Sequence, residues 1–211
     1  MVDKFCDYLT KKMCDNNSEI TEEKAAEINY GLHIMFGEVP KLFIMAAIAG
    51  ILGIFKWTII CFCLMLPYRT YSGGFHLKTH IGCIIGTSIM YTGNAFISQK
   101  FELPITTKII CASILLIFSI IMIYLYAPAD TEDVPVVSKK ERKKRRNISF
   151  VIVTIMLVAS AIIKHNIISN ILLVGVLLQT ISITRLAYKL TNNKYGYEEY
   201  WKNKNKVIKA S

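Results

Sequence analysis

Arg69-Thr-Tyr-Ser-Gly73-Gly74-Phe-His76-Leu-Lys78-Thr-His80-Ile-Gly-Cys83 packs polar chemistry into the doorway of an apolar run that continues to about Ser98. It holds two of the four histidines and one of the six cysteines of the chain. The Gly-Gly pair permits backbone bends that other residues resist, so a tight turn delivers His76 onto whatever follows. From Phe75 onward the pattern predicts a helix entering a membrane. On it His76, His80 and Cys83 fall at i, i+4 and i+7 and share one stripe.

That spacing sets a limit. Seven residues of straight helix separate His76 from Cys83 by roughly 10 Å along the axis, too far for direct proton transfer. If His76 is to activate the Cys83 thiol, the backbone between Gly74 and Cys83 must be bent or partly unwound, or His80 must bridge. The predicted helix also carries Cys83 too deep for the helix dipole alone to activate its thiol, since that influence fades after the first turn. The help would have to come from His76, with His80, Arg69 or Lys78.

Three chemistries fit these residues. A Cys/His pair supplies a thiolate nucleophile and its base, which cuts a peptide bond without metal or cofactor. A His-x3-His-x2-Cys set presents three ligands to zinc with an open position, although it lacks the Glu between histidines that serves as base in the usual helical zinc-protease motif. In the third reading the histidines and Arg69 are interfacial polar residues and Cys83 is a small buried hydrophobe.

The surrounding chain decides the fold class. Its 211 residues are 53% hydrophobic with a net charge of +10, and the mean hydropathy of +0.41 is too high for an ordinary soluble domain. The expectation is an all-α, polytopic helical membrane protein. It has six membrane helices, some short or re-entrant, preceded by N-terminal amphipathic helices, in one membrane domain spanning 1–211. No secretory signal is visible, because the first 30 residues are polar and charged. Cys61, Cys63, Cys83 and Cys111 lie in or beside apolar runs, so no disulfide framework is expected, and Cys61-x-Cys63 has neither redox nor zinc spacing.

Residues 1–40 read as interfacial or cytoplasmic helices. Val2, Phe5, Cys6, Leu9 and Met13 follow helical spacing, Asp15 to Ser18 breaks the pattern, and Thr21 followed by Glu22 and Glu23 fits an N-cap with acids in the first turn. Between Lys41 and Pro67 the only charge is Lys56. This stretch predicts either one tilted span or, in preference, a hairpin hinged near Gly53 and Lys56, which leaves the lysine wet. Further runs cover Ile81 to Ser98, Ile105 to Ala127, Ile148 to Ile163 and Ile167 to Leu186. Pro40, Pro67, Pro104 and Pro128 all stand at run borders, where helices tolerate proline.

Lys139 to Arg146 carries seven basic residues in eight. The positive-inside rule places the 128–147 loop, and the lysine-rich aromatic tail 188–211, in the cytoplasm. A nucleic-acid partner is not expected, since the cluster abuts a span and has no aromatic interleaving; contact with membrane lipids is. Working back from the basic loop, the Ile105 run comes inward and the Ile81 run goes outward, so Arg69 to Cys83 begins inside. The first 41 residues carry five basic and eight acidic residues and give no firm side.

The pattern Arg69-x3-Gly73-Gly74-x-His76-x6-Cys83 resembles the AgrB (accessory gene regulator protein B) family of bacterial membrane endopeptidases that process quorum-sensing propeptides. Tyr126-Ala-Pro-Ala-Asp-Thr-Glu132, followed by the basic run, is a second family-like piece, and the likeness extends from Thr21 onward. The resemblance implies Cys83 as nucleophile and His76 as general base, with no cofactor. The partner would be an AgrD-like propeptide with an amphipathic leader, a cyclisable core and an acidic tail. Attack at the core-tail bond would leave the core as a thioester on Cys83, and a Cys of the core would then close a thiolactone. Arg69 would support an oxyanion or the acidic tail, with Gly73, Gly74, Lys78 and His80 around it. Ser72 and Ser88 are candidates to orient the imidazole. A homodimer in the bacterial cell membrane is the expected assembly. Two alternatives remain at this point: a non-enzymatic exporter or scaffold, and a zinc-dependent membrane protease.

Overall fold

The structure, a computed structural model, describes residues 2–15, 21, 24–25, 28–29, 32, 34–77, 79–132 and 135–210. Among the described residues it is helical with no strand, and its only sheet-like pairings are two isolated bridges. Helix α1 is Val2–Asp15. A π-helical turn, Ile34–Glu38, then leads into α2, Val39–Ile51. The bundle continues with α3, Phe55–Ser72, α4, His80–Ser98, and α5, Ile105–Tyr126. It closes with α6, Lys139–Ile162, α7, Asn166–Ser182, and two short terminal helices, α8, Arg185–Leu190, and α9, Gly196–Ala210.

Among the described residues three helices are long and apolar enough to cross a membrane: Ile81–Ser98, Ile105–Tyr126 and Lys139–Ile162. Shorter or more polar α2, α3 and α7 complete a polytopic all-α bundle of the expected kind. Helix α7, 17 residues and roughly 26 Å long, is the central one and packs on α3, α4, α5 and α6. In contrast α5 exposes Ile109, Ile110, Ile114, Ile117 and Ile121. An apolar outer face of this kind is what lipid requires.

Because lipid tails are as apolar as leucine, burial alone does not drive such helices together; packing and buried polar contacts do. Polar contacts tie the centre of the bundle together. Asn94 Nδ2 donates to Ile171 O at 3.1 Å, and Ser98 Oγ donates to Asn94 Oδ1 at 3.0 Å. Asn170 Nδ2 donates to Ser98 O and Phe101 O. Thr180 Oγ1 lies 2.9 Å from Tyr68 Oη and 3.0 Å from Ser119 Oγ. Each interhelical bond among them contributes about 1 kcal/mol in a membrane, and together they fix the register of α7 against its neighbours.

The helix borders refine the sequence expectations. The 42–66 stretch does break in two, at Leu52–Ile54, where Gly53 takes φ +67, and Lys56 is exposed just past the break. The second helix does not stop at Pro67, however, but runs on to Ser72 with the proline inside it. Pro67 removes one main-chain bond, and the buried contacts of Tyr68 and Ser72 with α7 offset that loss. The basic run is not a loop: Lys139 to Arg146 forms the first turns of α6, capped by Ser138 Oγ, which accepts from Glu141 N at 3.4 Å. The last apolar run divides at Ile183, where Thr184 caps α8 by accepting from Ala187 N at 3.3 Å. At the N-terminus Thr21 Oγ1 accepts from Lys24 N at 3.4 Å, as an N-cap does. Asn16 to Ser18, Glu22 and Glu23 lie outside the described residues.

Candidate functional site

Helix α3 ends where Gly73 turns to φ +74 and Gly74 to φ +139, a left-handed course open to glycine. A Cβ on Gly73 would strike the backbone of Ala129, and one on Gly74 would strike the Arg69 guanidinium and Ser182 Oγ. The approach is that close because the chain leaves α3 as an extended strip that is bonded from both sides. Gly73 forms a parallel bridge with Ala129: Gly74 N donates to Ala129 O at 2.8 Å and Ala129 N to Ser72 O at 2.8 Å. On the opposite edge Phe75 N donates to Ser182 O at 3.3 Å.

Side chains take up the carbonyls of Gly73, Phe75 and His76. Arg69 Nη2 donates to Phe75 O at 2.7 Å, while Nη1 reaches Ser182 Oγ at 3.2 Å and Gln179 Oε1 at 3.4 Å. Gln179 Nε2 donates to Gly73 O at 2.7 Å and to Ser72 Oγ at 2.9 Å. Asn193 Nδ2 donates to His76 O at 2.6 Å. Non-helical backbone persists in a membrane protein only where protein satisfies its polar groups, and here α3, α7 and the segments around Ala129 and Asn193 do so.

This arrangement corrects the predicted stripe. The helix starts at His80, not Phe75, so His76 lies on the strip and not on the helix that bears Cys83. The unwinding between Gly74 and Cys83 that direct activation demands is therefore present. Its physical origin is Thr79, whose side chain accepts from Gly82 N at 3.0 Å and starts α4 there. Cys83 is consequently the fourth residue of the helix, inside its first turn, where the sequence reading put it too deep for the dipole to act.

The strip folds back on α4. Leu77 lies over Gly82 and Gly86, where added Cβ atoms would sit 3.4 Å from its Cβ and 2.9 Å from its Cδ1. Those glycines flank Cys83 in the chain, so the connector runs beside the turn that carries the thiol. The His76 side chain is exposed, and Cys83 is half-buried and a free thiol. Lys78 and the side chain of His80 lie outside the described residues. Among the described residues no three His, Cys, Asp or Glu side chains cluster as metal ligands would. Ser72 is taken up in the clamp with Gln179, and Ser88 Oγ is buried without a hydrogen-bond partner.

The segment after α5 is anchored in turn. Tyr188 Oη donates to Ala129 O at 2.8 Å and Asp130 O at 3.1 Å, and its ring stacks on Tyr195 at 4.2 Å. Burial pushes both phenols well above the usual tyrosine range. Asp130 Oδ2 accepts from Val136 N at 2.8 Å and pairs with Arg142 at 3.1 Å. The basic run and the glycine strip thus share one end of the bundle, with Lys139, Lys140, Lys143 and Lys144 exposed there.

Sequence reasoning missed Gln179, Ser182 and Asn193, and took in Ala129 only as part of the family-like piece Tyr126 to Glu132. A signal for two of them was available, since Gln179 and Ser182, with Thr180 between them, are polar residues that follow the apolar stretch Ile171 to Leu178, and polar groups in membrane helices tend to mark sites.

The sequence model described as Accessory gene regulator B matches residues 2–183. The chain belongs to the AgrB family. A protein named AgrB-like from Listeria innocua serovar 6a is 31% identical over 180 residues, 85% of this chain and 86% of its own. An AgrB-like protein of Clostridium acetobutylicum is 26% identical over 201 residues, 95% and 94% of the two chains. The Accessory gene regulator protein B of Staphylococcus aureus (strain MW2) is 26% identical over 187 residues, 89% and 94% of the two chains. No solved structure matches the chain. The AgrB match takes in Arg69 to Cys83, Ala129, Gln179 and Ser182, and ends before Tyr188 and Asn193.

Proposed function

We propose that this AgrB-family chain is a membrane-embedded cysteine endopeptidase of peptide quorum sensing, with Cys83 as nucleophile and His76 as its base. The observation that carries the reading is the unwound strip, which takes His76 off the Cys83 helix and lays the connector along that helix's first turn. Negative charge is favoured at a helix N-terminus, which suits a sulfur that attacks as thiolate.

In the first step the Cys83 sulfur adds to the carbonyl at the core-tail bond of an AgrD-like propeptide, and its proton passes through His76 to the departing amine. The tail leaves and the core remains as a thioester. In the second step a thiol of the core attacks that carbonyl, its proton returns to the Cys83 sulfur, and a thiolactone closes. One thioester replaces another, so this step needs little driving force and mainly needs water kept away. The lysines at the start of α6 sit at the same end as the strip. They would attract an acidic tail and, by the positive-inside rule, put the chemistry on the cytoplasmic side.

The test uses the purified chain in liposomes with a propeptide labelled on its tail. Release of the tail by the native chain, and its loss in both Cys83→Ala and His76→Ala at equal membrane insertion, is the expected result. Cleavage that survives Cys83→Ala overturns the mechanism, and peptide crossing the bilayer uncut overturns the enzyme reading.

A further inference from the structure

Beyond the Cys83/His76 pair, on which this inference rests, we propose that Gln179 of α7 is a positioning residue, one that holds the His76 strip in its working place. Its amide is read on both sides. Nε2 faces two acceptors, Gly73 O at 2.7 Å and Ser72 Oγ at 2.9 Å, while Oε1 faces the Arg69 guanidinium at 3.4 Å. These neighbours fix the orientation of the amide, since turning it over would set donor against donor and acceptor against acceptor.

The side chain is 2% exposed, so water does not substitute for a lost bond there. Gln179 also governs the second clamp. Its own carbonyl accepts from Ser182 Oγ at 2.7 Å, and that hydroxyl accepts from Arg69, whose other nitrogen holds Phe75 O. One residue of α7 thus reaches the carbonyl of Gly73 directly and, through Arg69, that of Phe75, the residue immediately before His76. An apolar side chain at position 179 leaves Ser72 Oγ without its donor, Gly73 O with only the longer bond from Ser72 Oγ at 3.4 Å, and Arg69 without one acceptor. The strip then loses its fixed course while the helices, which pack through other contacts, keep theirs.

The experiment follows Cys83 alkylation by iodoacetamide as a function of pH. It uses the full chain in liposomes and reads the Cys83 peptide by mass spectrometry, so that the other five cysteines need no replacement. Native chain, His76→Ala, Gln179→Leu and Gln179→Glu are compared, with thermal unfolding measured for each. The expected result is fast alkylation near neutral pH in the native chain and a profile in Gln179→Leu moved onto that of His76→Ala, about tenfold slower at neutral pH. Gln179→Glu keeps the acceptor for Arg69 and recovers part of the rate. A native profile in Gln179→Leu, where His76→Ala has lost it, overturns the positioning role and leaves the Cys/His reading intact. A His76→Ala profile equal to the native one overturns the Cys/His reading itself. If Gln179→Leu does not fold, Gln179→Glu decides: a native profile there shows the donated bonds to be irrelevant and overturns the inference.

Discussion

Arg69 Nη2 donates to Phe75 O at 2.7 Å, joining the last turn of α3 to a residue six positions further on and one before His76. The guanidinium serves three acceptors at once, in a fork that an ammonium does not reproduce. Arg69→Lys is therefore expected to keep membrane insertion and lose at least about tenfold in tail release, since bonds from charged donors contribute about 1.5–3 kcal/mol each. A rate assay beside an immunoblot of the membrane fraction checks this. A lysine variant cleaving at the native rate would show that the charge alone matters.

Gly73→Ala puts a methyl group into the backbone of Ala129 at a φ of +74. The left-handed conformation alone costs of order 1–3 kcal/mol, and the backbone it meets has no rotamer to yield. Cleavage should fall below detection and the unfolding midpoint should drop. Gly74→Ala meets the Arg69 and Ser182 side chains instead, so its activity loss should exceed its stability loss.

Tyr188→Phe keeps the ring stack on Tyr195 and removes the bonds to Ala129 O and Asp130 O, at an expected cost of about 1–3 kcal/mol. The phenol also sets a pH dependence. Its proton is held more tightly in the folded chain than in the unfolded one, so the folded state has its full share of stability below about pH 10 and loses it as the pH rises further. Thermal unfolding from pH 8 to 11 should therefore fall more steeply for the native chain than for Tyr188→Phe. Equal slopes would remove Tyr188 from the account.

Chelation separates thiol from zinc chemistry. With His76 on the strip and Cys83 in α4, the one-face ligand stripe that a helical zinc site needs is not formed. Tail release should survive a strong chelator and be abolished by thiol alkylation. The opposite pattern would restore the metal reading.

How much of this was legible in the sequence can be followed residue by residue. Apolar run lengths and the prolines at Pro104 and Pro128 marked α5 within a residue, because hydropathy and the missing proline N–H act locally. Pro67 misled, since the contacts that carry α3 beyond it come from Thr180 and Gln179, more than a hundred residues away. The Gly-Gly turn was visible and its length was not. A helical period continued through Phe75, and the bonds with Arg69, Ser182 and Asn193, together with the Thr79 cap that starts α4 later, make an extended course the better state for Phe75 to Leu77. Likewise the basic run looked like a loop on charge alone, although lysine and arginine are good helix formers and Ser138 with Glu141 supplied a cap in plain view.

The most direct measurement is capture of the intermediate. The chain is mixed with a propeptide whose core cysteine is replaced by alanine, so that ring closure is blocked, and the Cys83 peptide is weighed by mass spectrometry. The expected result is an adduct on Cys83 with the mass of the leader and core joined as an acyl group, removed by neutral hydroxylamine and missing in His76→Ala. Release of the tail with Cys83 unmodified throughout would contradict it.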